Sequence, residues 1–234
     1  MNSLLKLTCS AILCGTAVLG LGGNAQAGLV CGAGVCTATV DTGALKTEIN
    51  TNILFPLFDS NLGSLTSVSV KIAGQVIILS GSSVTNNAPQ AQSFTAKEDI
   101  QYSLSDMTAP GGALDLALQA AAALIDPKVS QTYTNLAAGA TAAFGPASQT
   151  GTQTVTSPLG AFEAAGGGND TLTVSTSTTT ADTGAGGNVT NIFMTNGDLA
   201  ITIQYDYAVP EPASLAVLGL GIAGLAFVRR RQAR

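Results

Sequence analysis

The stretch Ser67-Val68-Ser69-Val70-Lys71-Ile72-Ala73-Gly74-Gln75-Val76-Ile77-Ile78-Leu79-Ser80 decides the fold. Val68, Val70 and Ile72 alternate with Ser67, Ser69 and Lys71, the period-two pattern of a strand with one buried face. Residues 75–80 read as a second strand, and Gly74 between the two predicts a hairpin. The alternation returns where Leu172 and Val174 interleave with Thr171, Thr173 and Ser175. It returns again where Ile201, Ile203, Tyr205 and Tyr207 interleave with Thr202, Gln204 and Asp206. Turn-forming clusters lie between these runs: Asn86-Asn87-Ala88-Pro89, Ala109-Pro110-Gly111-Gly112, Gly166-Gly167-Gly168-Asn169-Asp170 and Gly184-Ala185-Gly186-Gly187-Asn188. Short alternating strands with Gly and Asn turns predict an all-β antiparallel β-sandwich, jelly-roll-like or Ig-like. Residues 114–125 are the exception. They are Ala-rich and favour helix, yet Leu114, Leu116 and Leu118 alternate with Asp115, Ala117 and Gln119, so helix and strand both fit. Residues 148–183, dense in Thr, Ser and Gly, read as solvated β structure, and their hydroxyls would also suit O-linked sugar.

Composition narrows the chemistry. The chain has 234 residues, 10% of them charged and 5% aromatic, with no Trp and no His. Without His there is no Ser-His-Asp or Cys-His nucleophile pair and no imidazole metal ligand. Lys6 lies near the start, and Arg229, Arg230, Arg231 and Arg234 lie at the end. The middle keeps Lys46, Lys71, Lys97 and Lys128 against 14 acidic residues with Glu211 counted, a balance near −10. A surface of that sign repels phosphate backbones, so no nucleic-acid partner is expected.

The two ends read as export signals. Lys6, the apolar residues 7–23 and Ala25-Gln26-Ala27 form a signal peptide with an A-x-A site for signal peptidase, which places the mature start near Gly28. Cys9 follows Thr8 and Cys14 follows Leu13, a poor fit to a lipidation site. At the other end Pro210-Glu211-Pro212 precedes an apolar run, residues 213–228, and then Arg229-Arg230-Arg231. Sixteen helical residues reach about 24 Å, slightly short of a hydrocarbon core of about 30 Å. The Arg cluster should stay cytoplasmic. The expected organisation is a signal helix over residues 1–27, an exported sandwich over 28–208 and a sorting segment over 209–234 with a transmembrane helix at 213–228. The simplest alternative for that helix is a permanent anchor.

Val209-Pro210-Glu211-Pro212-Ala213-Ser214, the Gly-rich apolar run and the Arg cluster together resemble the PEP-CTERM sorting signal. The resemblance implies a Gram-negative-type inner membrane, recognition by an exosortase and loss of the helix, which makes membrane attachment transient. It implies a mature form at the cell surface or in the extracellular matrix, associated with exopolysaccharide. Three further patterns resemble the choice-of-anchor E family of exported domains: residues 55–65 (Phe-Pro-Leu-Phe-Asp-Ser-Asn-Leu-Gly-Ser-Leu), Asn135-Leu136-Ala137-Ala138-Gly139 and the Gly166–Asp170 cluster. That resemblance, running over most of residues 47–207, implies a β-rich surface domain, and no catalytic residue carries over from it.

Candidate chemistry is sparse, and the sequence assigns no catalytic, cofactor or metal residues. Asp-Thr-Gly-Ala occurs twice, at Asp41 and at Asp182. Aspartic proteases pair two Asp-Thr-Gly loops so that close carboxylates share one proton. The second copy lacks apolar flanks, and such repeats arise by chance in a chain of this composition. Asp170, Asp182 and Asp198 lie among Gly and Asn, as calcium ligands do, yet without EF-hand or nonapeptide spacing. Turn chemistry explains them as well. Cys31 and Cys36, separated by four residues in an exported chain, fit a small disulfide loop. Phe55, Leu57 and Phe58 fit core better than a ligand patch. The expected function is non-enzymatic and structural. A ligand-binding adhesin or carbohydrate-binding module is the alternative, although few aromatic platforms exist for sugar stacking.

Overall fold

The computed structural model describes residues 28–156 and 158–210. The expected signal segment (residues 1–27) and most of the sorting segment (211–234), including the expected transmembrane helix, lie outside the described residues. Among the described residues no helix is long and apolar enough to cross a membrane.

In chain order the strands are β1 (Val30–Gly32), β2 (Val35–Asp41), β3 (Leu45–Lys46), β4 (Asn50–Asp59), β5 (Ser64–Ile78), β6 (Ser83–Asn86), β7 (Gln92–Asp106), β8 (Lys128–Leu136), β9 (Thr141–Ala143), β10 (Ala147–Val155), β11 (Glu163–Ala164), β12 (Gly168–Thr183), β13 (Val189–Ile192) and β14 (Thr195–Ala208). One helix, α1 (Ala113–Ala122), joins β7 to β8. The first sheet has the order β1-β2-β14-β5-β10, with β3 also on β14. The second has the order β11-β4-β12-β7-β8, and a small third sheet is β13-β6-β9. Apart from the short parallel pair β11–β4, every pairing is antiparallel.

Eight principal strands carry the sandwich: β2, β4, β5, β7, β8, β10, β12 and β14. Counted first to eighth, they order as 1-8-3-6 in one sheet and 2-7-4-5 in the other. That is the jelly-roll arrangement of two interleaved Greek keys, not an Ig-like one. The last strand therefore lies inside its sheet, between the first and third.

The hairpin expected at Gly74 does not form. β5 runs through it as one strand of 15 residues. Val68, Val70, Ile72, Val76 and Ile78 all point inward and are buried, so the period-two phase crosses Gly74 unbroken. Glycine is there because the opposite sheet comes too close for a side chain. A Cβ on Gly74 would sit 2.7 Å from the Tyr102 ring and 2.7 Å from Ile125 Cγ2. The Tyr102 hydroxyl donates to Gln75 O at 2.7 Å, which draws that ring onto the strand.

Residues 114–125 fold as helix over Ala113–Ala122. Leu114, Leu118, Ala121, Ala122 and Ile125 are buried while Leu116 is exposed, the spacing of a helical face rather than a strand. Asp115 fastens the helix start by accepting from Asp106 N at 2.8 Å, Gly111 N at 2.6 Å and Gln119 Nε2 at 2.8 Å. The core is filled by the inward faces of both sheets, with Phe55, Phe58, Phe144, Phe162 and Tyr205 its largest buried side chains. Each fully buried aliphatic or aromatic group contributes about 1.5–3 kcal/mol.

Candidate functional site

The end of β14 is where the sandwich meets the sorting segment, and it is held tightly. Tyr207 N donates to Gly34 O at 2.8 Å, and Thr66 Oγ1 donates to Asp206 O at 2.9 Å. The strand carries a bulge between Asp206 and Tyr207. The bulge leaves the rings of both Tyr205 and Tyr207 on Phe58, with centroids 5.9 Å and 5.1 Å away. Tyr205 is fully buried, and its hydroxyl donates to Pro56 O at 2.9 Å. Ser67 Oγ and Gln204 Nε2 donate to the Asp206 carboxylate, at 2.5 Å and 3.0 Å, and hold it below the usual carboxylate range. Gly63 packs so closely on the Ala208 carbonyl that a side chain there would collide with the departing backbone. Of the expected sorting residues Val209 and Pro210 are described, and Val209 is exposed. Glu211, Pro212, Arg229, Arg230 and Arg231 lie outside the described residues, as do Ala25 and Ala27 at the expected signal cleavage site.

Beside this pole Cys31 and Cys36 are joined by a disulfide across the β1–β2 hairpin, opposite one another in register. A shallow cavity of about 330 Å³ opens between that hairpin and the β4–β12 edge, with Leu29, Leu57, Leu62 and Asn169 among its walls. Phe55 and Phe58 are core residues and Leu57 is half-buried.

The carboxylates singled out in the sequence are redistributed. The two Asp-Thr-Gly segments are not brought together. Asp41 ends β2 on the first sheet, where its Oδ1 accepts from Gly43 N at 2.7 Å. Asp182 lies near the end of β12 on the second sheet, where its Oδ2 accepts from Asn191 Nδ2 at 2.7 Å. Asp41 is instead the neighbour of Asp198, because the chain pairs β2 and then β3 with β14 and arches over it. Thr42 Oγ1 accepts from Leu199 N at 2.9 Å and lies 3.5 Å from Asp198 Oδ1. Burial first, and then the adjacent Asp41 carboxyl, push Asp198 up to about 6. Asp170 starts β12 at another site, so the three expected calcium candidates do not converge. Among the described residues no three Asp, Glu or Cys side chains form a metal-sized cluster.

Two features escaped the sequence. Glu98 is only 4% exposed, pointing inward from β7 to Thr180 Oγ1 at 2.5 Å and Thr195 Oγ1 at 3.1 Å. Burial raises its carboxyl despite those two donors. The signal was present: Glu98 shares the parity of Phe94, Ala96, Ile100 and Tyr102. The second is an open cleft of about 440 Å³ between α1 and the second sheet, lined by Gln101, Ser103, Gln119, Ser175 and Ser177. Its lining comes from the consecutive β7 and α1 and from β12, more than fifty residues further on.

The last strand of the jelly roll, inside its sheet, leads directly into the C-terminal segment. Residues 208–231 match the PEP-CTERM protein-sorting motif, so the chain is an exosortase-targeted, exported protein. No curated protein matches the chain. Solved structures with some likeness include that of Mud crab tombus-like virus, at 11% identity over 93% of this chain and 99% of that one, TM-score 0.22. Another is infectious bursal disease virus Gx strain, at 13% identity over 76% of this chain and 37% of that one, TM-score 0.21.

Proposed function

We propose that the chain is a non-enzymatic structural component of the cell surface or extracellular matrix, released there by exosortase in an exopolysaccharide setting. The observation that carries this reading is the abutment of the sorting motif on the last residue of β14. Cleavage there removes the Arg cluster and the apolar run and leaves the jelly roll whole, so a stable acidic domain is the natural product. The signal peptide at residues 1–27, cleavage by signal peptidase after Ala27 and the transmembrane helix at 213–228 belong to this reading, as does the likeness of the body to choice-of-anchor E domains. The disulfide suits an oxidising compartment.

Co-expression with an exosortase in an exporting host tests the reading. Mass spectrometry should find a product that begins near Gly28, ends within the motif and partitions with the matrix fraction. A chain that still carries residues 213–234 covalently when the exosortase is active would sink it. A carbohydrate-binding role is the second reading, favoured by the hydroxyl- and amide-lined cleft under α1. Specific micromolar binding on a glycan array, lost in Gln101→Ala and Gln119→Ala variants, would put that reading ahead of the structural one.

A further inference from the structure

We infer that the outer edge of β10 is a docking strand for a second copy of this chain. The second copy's β10 adds antiparallel to it, centred on Gly151, and the first sheet continues from one copy into the other. The edge itself is the first argument. β10 is nine residues long and pairs with β5 from Ala147 to Val155 without a break in register. Among the described residues no strand lies on its other side, and no backbone hydrogen bond joins residues 148–154 to anything but β5. Sheet edges are normally blunted by short length, proline, lysine, a bulge or a covering segment. The other outer strands follow that rule. β1, β3, β9, β11 and β13 have two to four residues each. β8 begins with Lys128 and has residues 143–145 fastened to it. Gln131 Nε2 and Tyr133 Oη donate to Ala143 O at 3.2 Å and 2.7 Å, and Gly145 N donates to Gln131 Oε1 at 3.1 Å. β10 has none of these devices, for residues 147–155 include no charged residue and no proline.

The second argument identifies the occupant. Ser148-Gln149-Thr150-Gly151-Thr152-Gln153-Thr154 reads nearly the same in both directions about Gly151. Two copies related by a twofold axis present one surface to itself. Antiparallel pairing centred on Gly151 sets Thr150 opposite Thr152 of the second copy, Gln149 opposite Gln153, and Ser148 opposite Thr154. Each side chain meets its own kind, or in the last pair another hydroxyl. Val155 is buried, so strand parity puts Gln149 and Gln153 on the inner face and the four hydroxyls, all exposed, on the outer face. The chain already uses such pairs within itself. Thr85 and Thr141 are opposite in register with their hydroxyls 2.8 Å apart, and Thr95 and Thr132 with theirs 2.9 Å apart. Charge permits the approach of two acidic copies along this line. Lys71 of β5 lies beside Thr154. Asp126, whose backbone N is 3.3 Å from the Cβ position of Gly151, has its carboxylate paired with Lys128 at 2.5 Å. Seven residues a side are few beside the roughly 20–30 of a standard interface, so the contact is weak and forms at high local concentration.

The test uses the full chain with Cys9→Ser and Cys14→Ser, held in detergent at about 0.2 mM so that a weak contact is populated. One batch carries Thr150→Cys and another carries Thr152→Cys, both at exposed positions. Side chains directly opposite one another have Cβ atoms about 4.5–5.5 Å apart, and diagonal neighbours are about 7–8 Å apart. A disulfide needs about 3.5–4.5 Å. On oxidation with copper phenanthroline the mixed batches should therefore give at least threefold more linked dimer than either batch alone. Adding Ser148→Glu and Thr154→Glu to both batches sets like charges opposite across the contact, and the mixed yield should fall to that of the single batches. Ser148→Cys with Thr154→Cys is the second opposing pair, used if circular dichroism shows that a first variant has unfolded. Equal yields in mixed and single batches overturn the inference. So does the absence of linked dimer from both opposing pairs in folded chains. A mixed yield that survives the two glutamate substitutions assigns the association to another surface and also overturns it.

Discussion

Replacing Gly74 by alanine puts a methyl group 2.7 Å from both the Tyr102 ring and Ile125 Cγ2, where contacts of 3.4–4 Å are ordinary. The Tyr102 ring cannot easily retreat. Its hydroxyl has Gln75 O at 2.7 Å and Asp198 O at 2.9 Å as acceptors, and itself accepts from Asp198 N at 3.0 Å. Overpacking of this kind costs about 1–3 kcal/mol. Loss or distortion of one buried hydrogen bond adds about 1 kcal/mol. Against this, Gly→Ala within a strand gains about 0.5–1 kcal/mol of backbone entropy. The expected net loss is about 1–3.5 kcal/mol. For a domain of this size that lowers Tm by about 2–14 °C. Urea denaturation of residues 28–208 should show a lower midpoint with an unchanged slope. Ile125→Ala removes one of the two obstructing groups, so the double variant should be less destabilised than the sum by at least about 0.5 kcal/mol. Were Gly74 a solvent-facing hairpin residue, alanine would be nearly neutral. A Gly74→Ala variant within about 0.5 kcal/mol of the parent would refute the close-packing account.

Asp198→Asn should stabilise the domain at pH 7. A carboxyl raised to about 6 in the folded chain favours the protonated form, so its stability contribution is full below the unfolded value near 3.8 and is lost as pH rises through about 6. The difference corresponds to about 3 kcal/mol, which solvent screening at this half-exposed site reduces to about 1–1.5 kcal/mol. The parent's stability should therefore fall relative to the variant between pH 4 and 7, and parallel pH profiles would contradict a raised Asp198 carboxyl. Cys31→Ser with Cys36→Ser opens a six-residue loop and should cost about 2 kcal/mol on chain-entropy grounds, read by thermal unfolding with and without reductant. Glu98→Gln should flatten the pH dependence in the same direction as Asp198→Asn, because burial raises the Glu98 carboxyl as well. Identical profiles for Glu98→Gln and the parent would count against a buried ionisable group.

Much of the secondary structure was legible, and the misreadings have specific causes. The alternation at 68–72, 172–174 and 201–207 marked strands because side-chain direction follows strand parity. Gly74 was misread because a glycine needed for close approach and a glycine needed for a turn look alike in sequence. Counting parity through it would have shown one strand. Residues 114–125 were ambiguous because alanine fits both periods. Burial of Leu118, Ala121, Ala122 and Ile125 with exposure of Leu116 decides for helix. The Asp-Thr-Gly repeat suggested a partner by similarity, whereas Asp41 acquired Asp198 by strand pairing 157 residues away.

What the sequence by itself determined was local. Parity made the chain β, composition removed histidine chemistry, and contiguous residues spelled the sorting motif matched at 208–231. The tertiary structure decided which strands are neighbours, and so chose jelly roll over Ig-like sandwich. It placed β14 inside its sheet, between β2 and β5, and gave the inward-facing Glu98 its partners Thr180 and Thr195. Those outcomes depend on ladders and burial between residues from about thirty to more than a hundred and sixty positions apart, which no local pattern encodes.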